Sequence, residues 1–224
     1  MKTVWITRTN SHKPVSVPTG WHAHSNPLLT VAPAKIEPEP PHPDDVIVFT
    51  SGNAVRQFCA FTDRRNWPVY TVGDVTAELA RSKGFQSVTS AGKDVFALRD
   101  LIAADKVLKS KRLYYASGLD ISADLVGELK NRDLYIVRHV LYETHPISVV
   151  PSIIKAAIDN NAPLTVFLYS SKGAQALKAL NLDFKNIQVV SISAQVDAIL
   201  ASERVKSRKI AQKPTHEAMI KLLD

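Results

Sequence analysis

Four short polar segments of the sequence each follow an apolar run and carry small side chains that could bind an anion. They read Thr50-Ser51-Gly52-Asn53, Val72-Gly73-Asp74-Val75-Thr76, Ala116-Ser117-Gly118 and Ser170-Ser171-Lys172-Gly173. Where such a segment joins a strand to a helix, the backbone N–H groups that open the helix favour a carboxylate or a phosphate. Each Ser, Thr or Asn could instead serve only as a helix N-cap. Four such turns in one chain favour a binding cleft for an anionic ligand.

Sequence motifs for other chemistries are absent. The chain has no GxxxxGK[ST], no GxGxxG after a strand, no GxSxG and no HExxH. His22, His24 and His42, with Asp44 and Asp45, lie in proline-rich segments without regular geometry, so we interpret them as surface residues rather than metal ligands. No nucleophile and base can be paired from their spacing. The sequence therefore predicts neither a metal nor a cofactor.

The composition is that of a packed globular protein. Of the 224 residues, 45% are apolar and 22% are charged, and Cys59 is the single cysteine. A chain that cannot form an internal disulfide suits a reducing compartment, and Cys59 falls with Val55 and Phe58 on the apolar side of a helical segment, as a core residue does. No run of about 18 apolar residues could span a membrane. We therefore expect a cytoplasmic protein.

The formal charge of +7 favours an anionic partner, which could be a nucleic acid, a membrane surface or a polycarboxylate. The densest basic cluster, residues 204–213, alternates with apolar residues as an exposed strand does, and both a solvated face and a binding role are compatible with it. Nucleic acid is disfavoured because no basic stripe is interleaved with exposed aromatic residues. We expect a small-molecule partner, neither nucleic acid nor membrane, and a monomer.

Short apolar runs alternate with longer amphipathic segments, which is the pattern of a parallel α/β protein. The predicted strands span 3–7, 28–33, 46–50, 68–72, 86–89, 112–116, 133–138, 164–169, 187–192 and 205–210. The predicted helices span 53–62, 75–83, 94–104, 121–130, 150–160, 173–180, 194–201 and 215–223, with Thr215 capping the last. Pro14, Pro18 and Pro27 argue against a long helix after the first strand, so residues 9–27 are expected to be irregular.

An internal repeat indicates two related halves. Residues 49–54 resemble residues 169–174, and residues 69–73 resemble residues 189–193, both at a separation of 120 residues. Two matches at one separation predict two similar α/β units in this chain.

The strand count gives each unit five strands only if the second lobe is inserted into the first. Residues 1–36 and 146–224 would then form the first lobe, and residues 38–141 would form the second. The chain would cross between the lobes near residues 38–41 and 141–144. Relative motion of the two lobes is expected for so thin a joint.

Six segments, in this order, resemble the uroporphyrinogen-III synthase family of tetrapyrrole biosynthesis. They are VWITR at 4–8, FTSGNAV at 49–55, VGDVTAEL at 72–79, YET at 142–144, SS at 170–171 and AQKPT at 211–215, and they span nearly the whole chain. The resemblance implies an α/β fold of two similar, flavodoxin-like parallel-sheet lobes, the second inserted into the first and joined to it by a two-stranded linker. This agrees with the division reached from the strand count.

The resemblance implies that the substrate is hydroxymethylbilane, a linear tetrapyrrole with eight carboxylates, and that the enzyme is a lyase that cyclises it with inversion of its last ring. Loss of the terminal hydroxyl would give an azafulvene cation, and attack by the far end would give a spiro intermediate that fragments and recloses. Because the linear substrate cyclises spontaneously to the other isomer, catalysis would be mainly orientation. A basic protein with helix N-termini around a cleft suits such a ligand.

Site residues follow from the same resemblance. Tyr142 occupies the position of the family's tyrosine and would assist departure of the hydroxyl, the alternative being a packed aromatic at the lobe junction. Gly73 and Thr76 match the VGxxTA turn and would bind a substrate carboxylate or cap a helix. In the second half of the repeat Ser193 and Val196 stand at the usual Gly and Thr, which puts the matching hydroxyl contact in question. The remaining substrate-binding candidates, acting largely beside main-chain N–H groups, are Arg8, Ser51, Asn53, Ser117, Ser171 and Lys172.

Two other functions fit the same scaffold. A non-catalytic two-lobe binder of an anionic ligand, or a two-lobe small-molecule sensor, would share the cleft and lack the chemistry. Formation of the type III isomer from hydroxymethylbilane distinguishes the enzyme from both.

Overall fold

The computed structural model describes residues 2–9 and 15–223, which form two compact units. Unit 1 combines Met1–Thr30 with His145–Asp224, and unit 2 is Val31–Thr144, the segment between them. The predicted insertion of one α/β lobe into another is confirmed. The chain passes between the units at residues 30–31 and 144–145.

Strands and helices alternate along the chain. The strands are β1 (Lys2–Ile6), β2 (Trp21–Ser25), β3 (Leu29–Pro33), β4 (Val46–Phe49), β5 (Val69–Thr71), β6 (Val88–Ser90), β7 (Arg112–Gly118), β8 (Tyr135–Pro146), β9 (Leu164–Leu168), β10 (Ile187–Ser191) and β11 (Ser207–Ile210). The helices are α1 (Gly52–Phe61), α2 (Asp74–Ser82), α3 (Val95–Ala104), α4 (Leu125–Lys130), α5 (Ser152–Asp159), α6 (Ser171–Ala179), α7 (Ala194–Ala198) and α8 (His216–Ile220), and Lys106–Ser110 forms a 3₁₀ helix. Within residues 2–9 and 15–223, no helix is long and apolar enough to cross a membrane.

The strands form two separate sheets. Unit 1 has the order β11-β10-β9-β1-β2, and the second sheet has the order β3-β8-β7-β4-β5-β6. The pairs within unit 1 and the pairs from β8 to β6 are parallel. Both crossings of the chain fall inside β3 and β8, which are hydrogen-bonded neighbours and form the predicted two-stranded linker.

The two sheets share one topology. In unit 2, the strands β4 to β8 are numbered 1 to 5 in chain order. In unit 1, the strands β9, β10, β11, β1 and β2 take the numbers 1 to 5. Both sets of five lie in the order 3-2-1-4-5, and β3 adds a sixth strand beside β8 in the second sheet. The flavodoxin order is 2-1-3-4-5, so the lobes share the doubly wound parallel architecture of that fold with a different central strand. Two similar parallel α/β lobes, as the repeat predicts, are thereby confirmed.

The structure corrects two strand predictions. The fifth strand of the unit 1 sheet is β2, which lies within the segment expected to be irregular, whereas the predicted strand 28–33 corresponds to β3 of the other sheet. The strand predicted to end at residue 138 continues as β8 to Pro146. Tyr142 therefore lies within a strand rather than after one. Of the irregular segment, residues 10–14 lie outside the described residues.

Local caps begin most of the helices. In six of them a Ser, Thr or Asp side chain accepts a hydrogen bond from the backbone N–H three residues ahead, which satisfies one of the unpaired donors of the first turn. The capping residues are Ser51, Asp94, Asp124, Ser170, Ser193 and Thr215. The predicted Thr215 cap is confirmed.

Each sheet is covered on both faces by apolar clusters. In unit 2, alternate residues of β4 point to opposite faces, so that Ile47 and Phe49 join the cluster with α1 and α2, and Val46 and Val48 join the cluster with α3 and α4. In unit 1, Trp5 packs in the cluster with α6 and α7. This burial holds the carboxyl ends of the strands, and the polar turns that follow them, in fixed positions.

Candidate active site

The switch point of unit 2 lies between β4 and β7. From there β5 and β6 extend the sheet in one direction and β8 extends it in the other. In parallel α/β sheets, ligands bind outside the carboxyl ends of the strands at this point. Thr50 and Ser51 follow β4, and Ser117 and Gly118 end β7, so four residues of the predicted polar turns meet here.

Ser51 and Tyr142 form the polar pair of this site. Ser51 is the N-cap of α1 and accepts a hydrogen bond from the Ala54 N–H at 3.2 Å. Its Oγ lies 2.8 Å from the Tyr142 hydroxyl oxygen, at hydrogen-bonding distance. Burial raises the pKa of Tyr142, and the hydrogen bond to Ser51 opposes that rise. The phenol is therefore protonated at neutral pH and can donate a hydrogen bond.

A β-bulge aims Tyr142 at Ser51. In the β7–β8 pairing, Ser117 lies opposite Val140 but Gly118 lies opposite Tyr142, so Leu141 is an extra residue in β8. An extra residue interrupts the alternation of side chains between the two faces of a sheet. Leu141 and Tyr142 consequently pack in the same apolar cluster, the one that contains residues of α1.

Gly118 makes this arrangement possible. A Cβ atom at residue 118 would lie 2.7 Å from Tyr142 Cζ and 2.8 Å from its Cε2, distances that real Cβ atoms essentially never show. The absence of a side chain at Gly118 thus lets the phenol ring lie against the end of β7. The neighbouring backbone contributes a further contact, since the Leu119 N–H donates to the Tyr142 carbonyl at 2.8 Å.

Arg138 holds the end of β7, a role that sequence reasoning missed. Its guanidinium donates to Ser117 Oγ at 2.9 Å, to the Gly118 carbonyl at 2.7 Å and to the Leu119 carbonyl at 2.6 Å. Ser117 is 1% exposed, so this predicted ligand contact is turned inward toward Arg138. An arginine within the first, mostly apolar part of β8 was the available signal.

The turn after β5 presents main-chain donors. Gly73 precedes α2 with extended backbone, its carbonyl accepts from the Thr76 and Ala77 N–H groups, and no side chain caps the helix. A Cβ atom at Gly73 would meet nothing within 4 Å, which leaves the first turn of α2 open. Thr76 is 8% exposed and faces the protein interior rather than open solvent.

Arg56 is a second residue that the sequence did not single out. It lies on α1 near Asn53, and its Nη1 atom is buried without a hydrogen-bond partner among the described residues. Burial lowers the pKa of this guanidinium. Nη1 lies 3.1 Å from the position that a Cβ atom at Gly52 would take, so the charge sits at the first turn of α1. An anion bound there would compensate both the desolvated charge and the helix terminus.

Unit 1 carries the second set of predicted residues. Ser170, not Ser171, caps α6 by accepting from the Gly173 N–H at 3.0 Å, so the counterpart of Ser51 lies 119 residues along rather than 120. Ser171 and Lys172 form the first turn of α6. Ser193 caps α7 where Gly73 precedes α2, and Val196 is buried at the position of Thr76.

Arg8 follows β1, the neighbour of β9 at the switch point of unit 1. Its guanidinium carbon lies 5.6 Å from the ring centre of Tyr169, the residue that follows β9. The structure therefore divides the predicted site residues into two groups. Tyr142, Ser51, Asn53, Gly73, Thr76 and Ser117 belong to unit 2, and Arg8, Ser171 and Lys172 belong to unit 1.

Two of the residues considered as metal ligands have partners within the protein. His42 lies 3.4 Å from a Glu39 oxygen, and Asp45 accepts two hydrogen bonds from Arg112 at 2.9 and 2.7 Å. No group of three or more His, Cys, Asp or Glu residues in the described part of the chain could hold a metal ion.

One family model and several solved structures are similar to this chain. The family model HEM4, uroporphyrinogen-III synthase HemD, matches residues 8–221. The uroporphyrinogen-III synthetase of Helicobacter pylori is similar in structure, with a TM-score of 0.67 and 20% sequence identity over 99% of this chain and 97% of that one. A mutant uroporphyrinogen III synthase of Thermus thermophilus has a TM-score of 0.49 and 12% identity over 99% and 96% of the two chains. No curated protein sequence matches the chain.

Proposed function

The chain belongs to the uroporphyrinogen-III synthase family, which acts in haem biosynthesis, and from this membership we propose how its residues perform the reaction. The substrate is hydroxymethylbilane, and the enzyme acts as a lyase that closes the macrocycle with inversion of the last ring. The terminal C–O bond breaks, the hydroxyl leaves as water, and the pyrrole nitrogen lone pair supplies electrons to form an azafulvene cation. Attack by the far end gives a spiro intermediate, which fragments and recloses to uroporphyrinogen III.

The Ser51–Tyr142 pair is the observation that carries this proposal. Since the Ser51 oxygen accepts from the Ala54 N–H, its own hydrogen is free to be donated to the Tyr142 oxygen 2.8 Å away. The phenol hydrogen is then available for the departing hydroxyl of the substrate. A hydrogen bond from Ser51 also stabilises negative charge on the phenol oxygen. This is why the hydrogen bond lowers the pKa of Tyr142, against the effect of burial. Tyr142 thus gives its proton to the departing hydroxyl, which leaves as water, and the proton released when the pyrroles regain aromaticity restores the phenol.

The carboxylates of the substrate are bound by main-chain N–H groups and by a few cations. In unit 2, the open first turn of α2 at Gly73 and the Arg56 guanidinium at the first turn of α1 supply donors. Val75, in that same turn of α2, is 83% exposed and offers apolar surface for a pyrrole ring. In unit 1, Arg8 supplies a cation. Because a linear tetrapyrrole with eight carboxylates can fold in many ways, fixing several acid groups at once brings its two ends together.

The compartment, the oligomeric state and the partners of the protein complete the proposal. We propose that the protein acts in the cytoplasm as a monomer, with a small-molecule substrate and with neither nucleic acid nor membrane as a partner. The single cysteine supports a reducing compartment. Cys59 packs against the apolar cluster of α1, and burial raises the pKa of its thiol, so we assign it no chemical role.

The decisive experiment supplies the purified protein with enzymatically generated hydroxymethylbilane and separates the type I and type III isomers after oxidation. We expect type III to form in excess over the spontaneous type I product. Formation of type I alone would refute the enzymatic function and would favour a non-catalytic binder of an anionic ligand.

A further inference from the structure

A cluster of an arginine, a tyrosine and a histidine lies at the switch point of unit 1, and the tyrosine and the histidine have no role in the chemistry assigned above. Tyr169 follows β9, and its hydroxyl oxygen lies 2.7 Å from Nδ1 of His216, the first residue of α8. The two rings are stacked with their centres 5.9 Å apart, and Arg8 lies over the Tyr169 ring from the end of β1. Phe167 packs edge-on against both rings and fixes their orientation.

Two nitrogen atoms of this cluster are buried and unsatisfied. Arg8 Nε and His216 Nε2 are both inaccessible to solvent and have no hydrogen-bond partner among residues 2–9 and 15–223. A buried polar group without a partner costs free energy, and an unpaired buried charge costs more. Two such groups beside one tyrosine indicate that a bound ligand supplies the missing hydrogen-bond partners.

The electrostatics of the cluster make that ligand an anion. Burial lowers the pKa of His216, and the charge of Arg8 lowers it further. Burial also raises the pKa of Tyr169, with Arg8 opposing the rise. Arg8 supplies the positive charge of the cluster, and the acidic neighbour, Glu217, is exposed on α8.

We propose that Arg8 Nε and His216 Nε2 together bind one carboxylate of the linear tetrapyrrole, and that Tyr169 positions the imidazole for this purpose. When the Tyr169 hydroxyl donates to Nδ1, the neutral ring carries its hydrogen on Nε2 and becomes a donor there. A carboxylate has two acceptor oxygens, one for each unsatisfied N–H group. His216 is a specificity-determining residue in this scheme, and Tyr169 is a positioning residue.

This assignment rests on the proposed function, since that function supplies a ligand rich in carboxylates. It adds two residues that no motif of the sequence identified. The site combines side chains only, and so differs from the main-chain N–H donors that we propose for carboxylate binding in unit 2.

The test exploits the two amide side chains that imitate the two imidazole nitrogens. The amide nitrogen of Asn approximates the position of Nδ1, and that of Gln approximates Nε2. His216→Asn therefore removes the proposed donor, whereas His216→Gln retains it. His22→Asn, at an exposed position of β2, is the matched control.

The probe is uroporphyrin III, a stable macrocycle with the same eight carboxylates, whose dissociation constant is measured by fluorescence quenching at neutral pH. We expect His216→Asn to weaken binding about tenfold to hundredfold, the usual effect of losing a hydrogen bond to a charged group. His216→Gln should restore binding to within about threefold of the unmodified protein, and Tyr169→Phe should weaken it by an intermediate factor. Equal affinity of His216→Asn and the unmodified protein would overturn the proposal.

A second measurement uses the unmodified protein and is independent of whether any variant folds. Addition of uroporphyrin III should shift the ¹⁵N resonance of His216 Nε2, and an unmoved resonance under saturating probe would overturn the site. The isomer assay stays separate from both readouts. If the unmodified protein makes type III while His216→Asn binds normally, the carboxylate site fails and the enzymatic function stands. If the protein binds the probe through His216 but yields only type I, the function fails and the site stands.

Discussion

Gly118→Ala is expected to slow turnover by displacing the Tyr142 phenol, although residue 118 need not touch the substrate. The added Cβ atom would lie 2.7 Å from Tyr142 Cζ, while ordinary contact begins at 3.4 Å, so the ring must move by about 0.7 Å. The Ser51–Tyr142 separation is 2.8 Å, and the same displacement takes it out of hydrogen-bonding range.

Two free-energy terms follow from that displacement. Overpacking costs about 1–3 kcal/mol of stability, and loss of the hydrogen bond adds about 1 kcal/mol. In the reaction, a misplaced donor forfeits about 1.4 kcal/mol of transition-state stabilisation, which is about tenfold in kcat. KM should change less, because the carboxylate contacts are made elsewhere.

The assay combines the rate of type III formation with thermal unfolding for Gly118→Ala, Ser51→Ala, Tyr142→Phe and the double variant Gly118→Ala/Tyr142→Phe. If Gly118 acts through the phenol, the double variant should have nearly the kcat of Tyr142→Phe. Ser51→Ala removes the hydrogen bond without a clash, and its kcat reports that loss alone, whereas its thermal unfolding also includes about 1 kcal/mol for the lost N-cap of α1. A fully stable Gly118→Ala variant with unchanged kcat, or multiplicative losses in the double variant, would refute the reasoning.

Three further outcomes are expected. Tyr142→Phe should lower kcat about tenfold with less than about a twofold change in KM, measured by steady-state isomer analysis; an unchanged kcat would remove Tyr142 from the mechanism. Arg56→Gln should leave the melting temperature unchanged or higher, because it removes an unsatisfied buried charge, while KM rises about tenfold; a lower melting temperature with normal KM would make Arg56 structural. Burial lowers the pKa of His139 from 6.5, so below about pH 6.5 the unfolded state binds the proton first and the free energy of unfolding falls. Urea unfolding between about pH 8 and pH 5 should record that fall, and His139→Phe, which keeps a ring stacked on Tyr114, should reduce it; an equal fall in the variant would assign the effect to other groups.

Features set by neighbouring residues were predictable from the sequence. Ser51 and Thr215 are three residues from the backbone groups that they cap, and the turn sequences predicted both helix starts to within one residue. The alternation of strands and helices predicted parallel sheets, and parallel sheets require the polar turns to share an edge. Strand β2 was missed because it is a half-exposed strand at the edge of its sheet, and its residues do not show the apolar pattern of a strand. Its extended conformation depends on the backbone pairing with β1.

Features that join distant residues were decided only by the tertiary structure. Ser51 meets Tyr142 across 91 residues, and Tyr169 meets His216 across 47. The bulge at Leu141 changes which face of the sheet Tyr142 occupies, and the period of a strand pattern cannot reveal an inserted residue before its partner strand is known. Sequence alone thus determined the residue types at the carboxyl ends of the strands. Which of them touch depended on strand order, register and packing, because hydrogen bonds and burial act between neighbours in space.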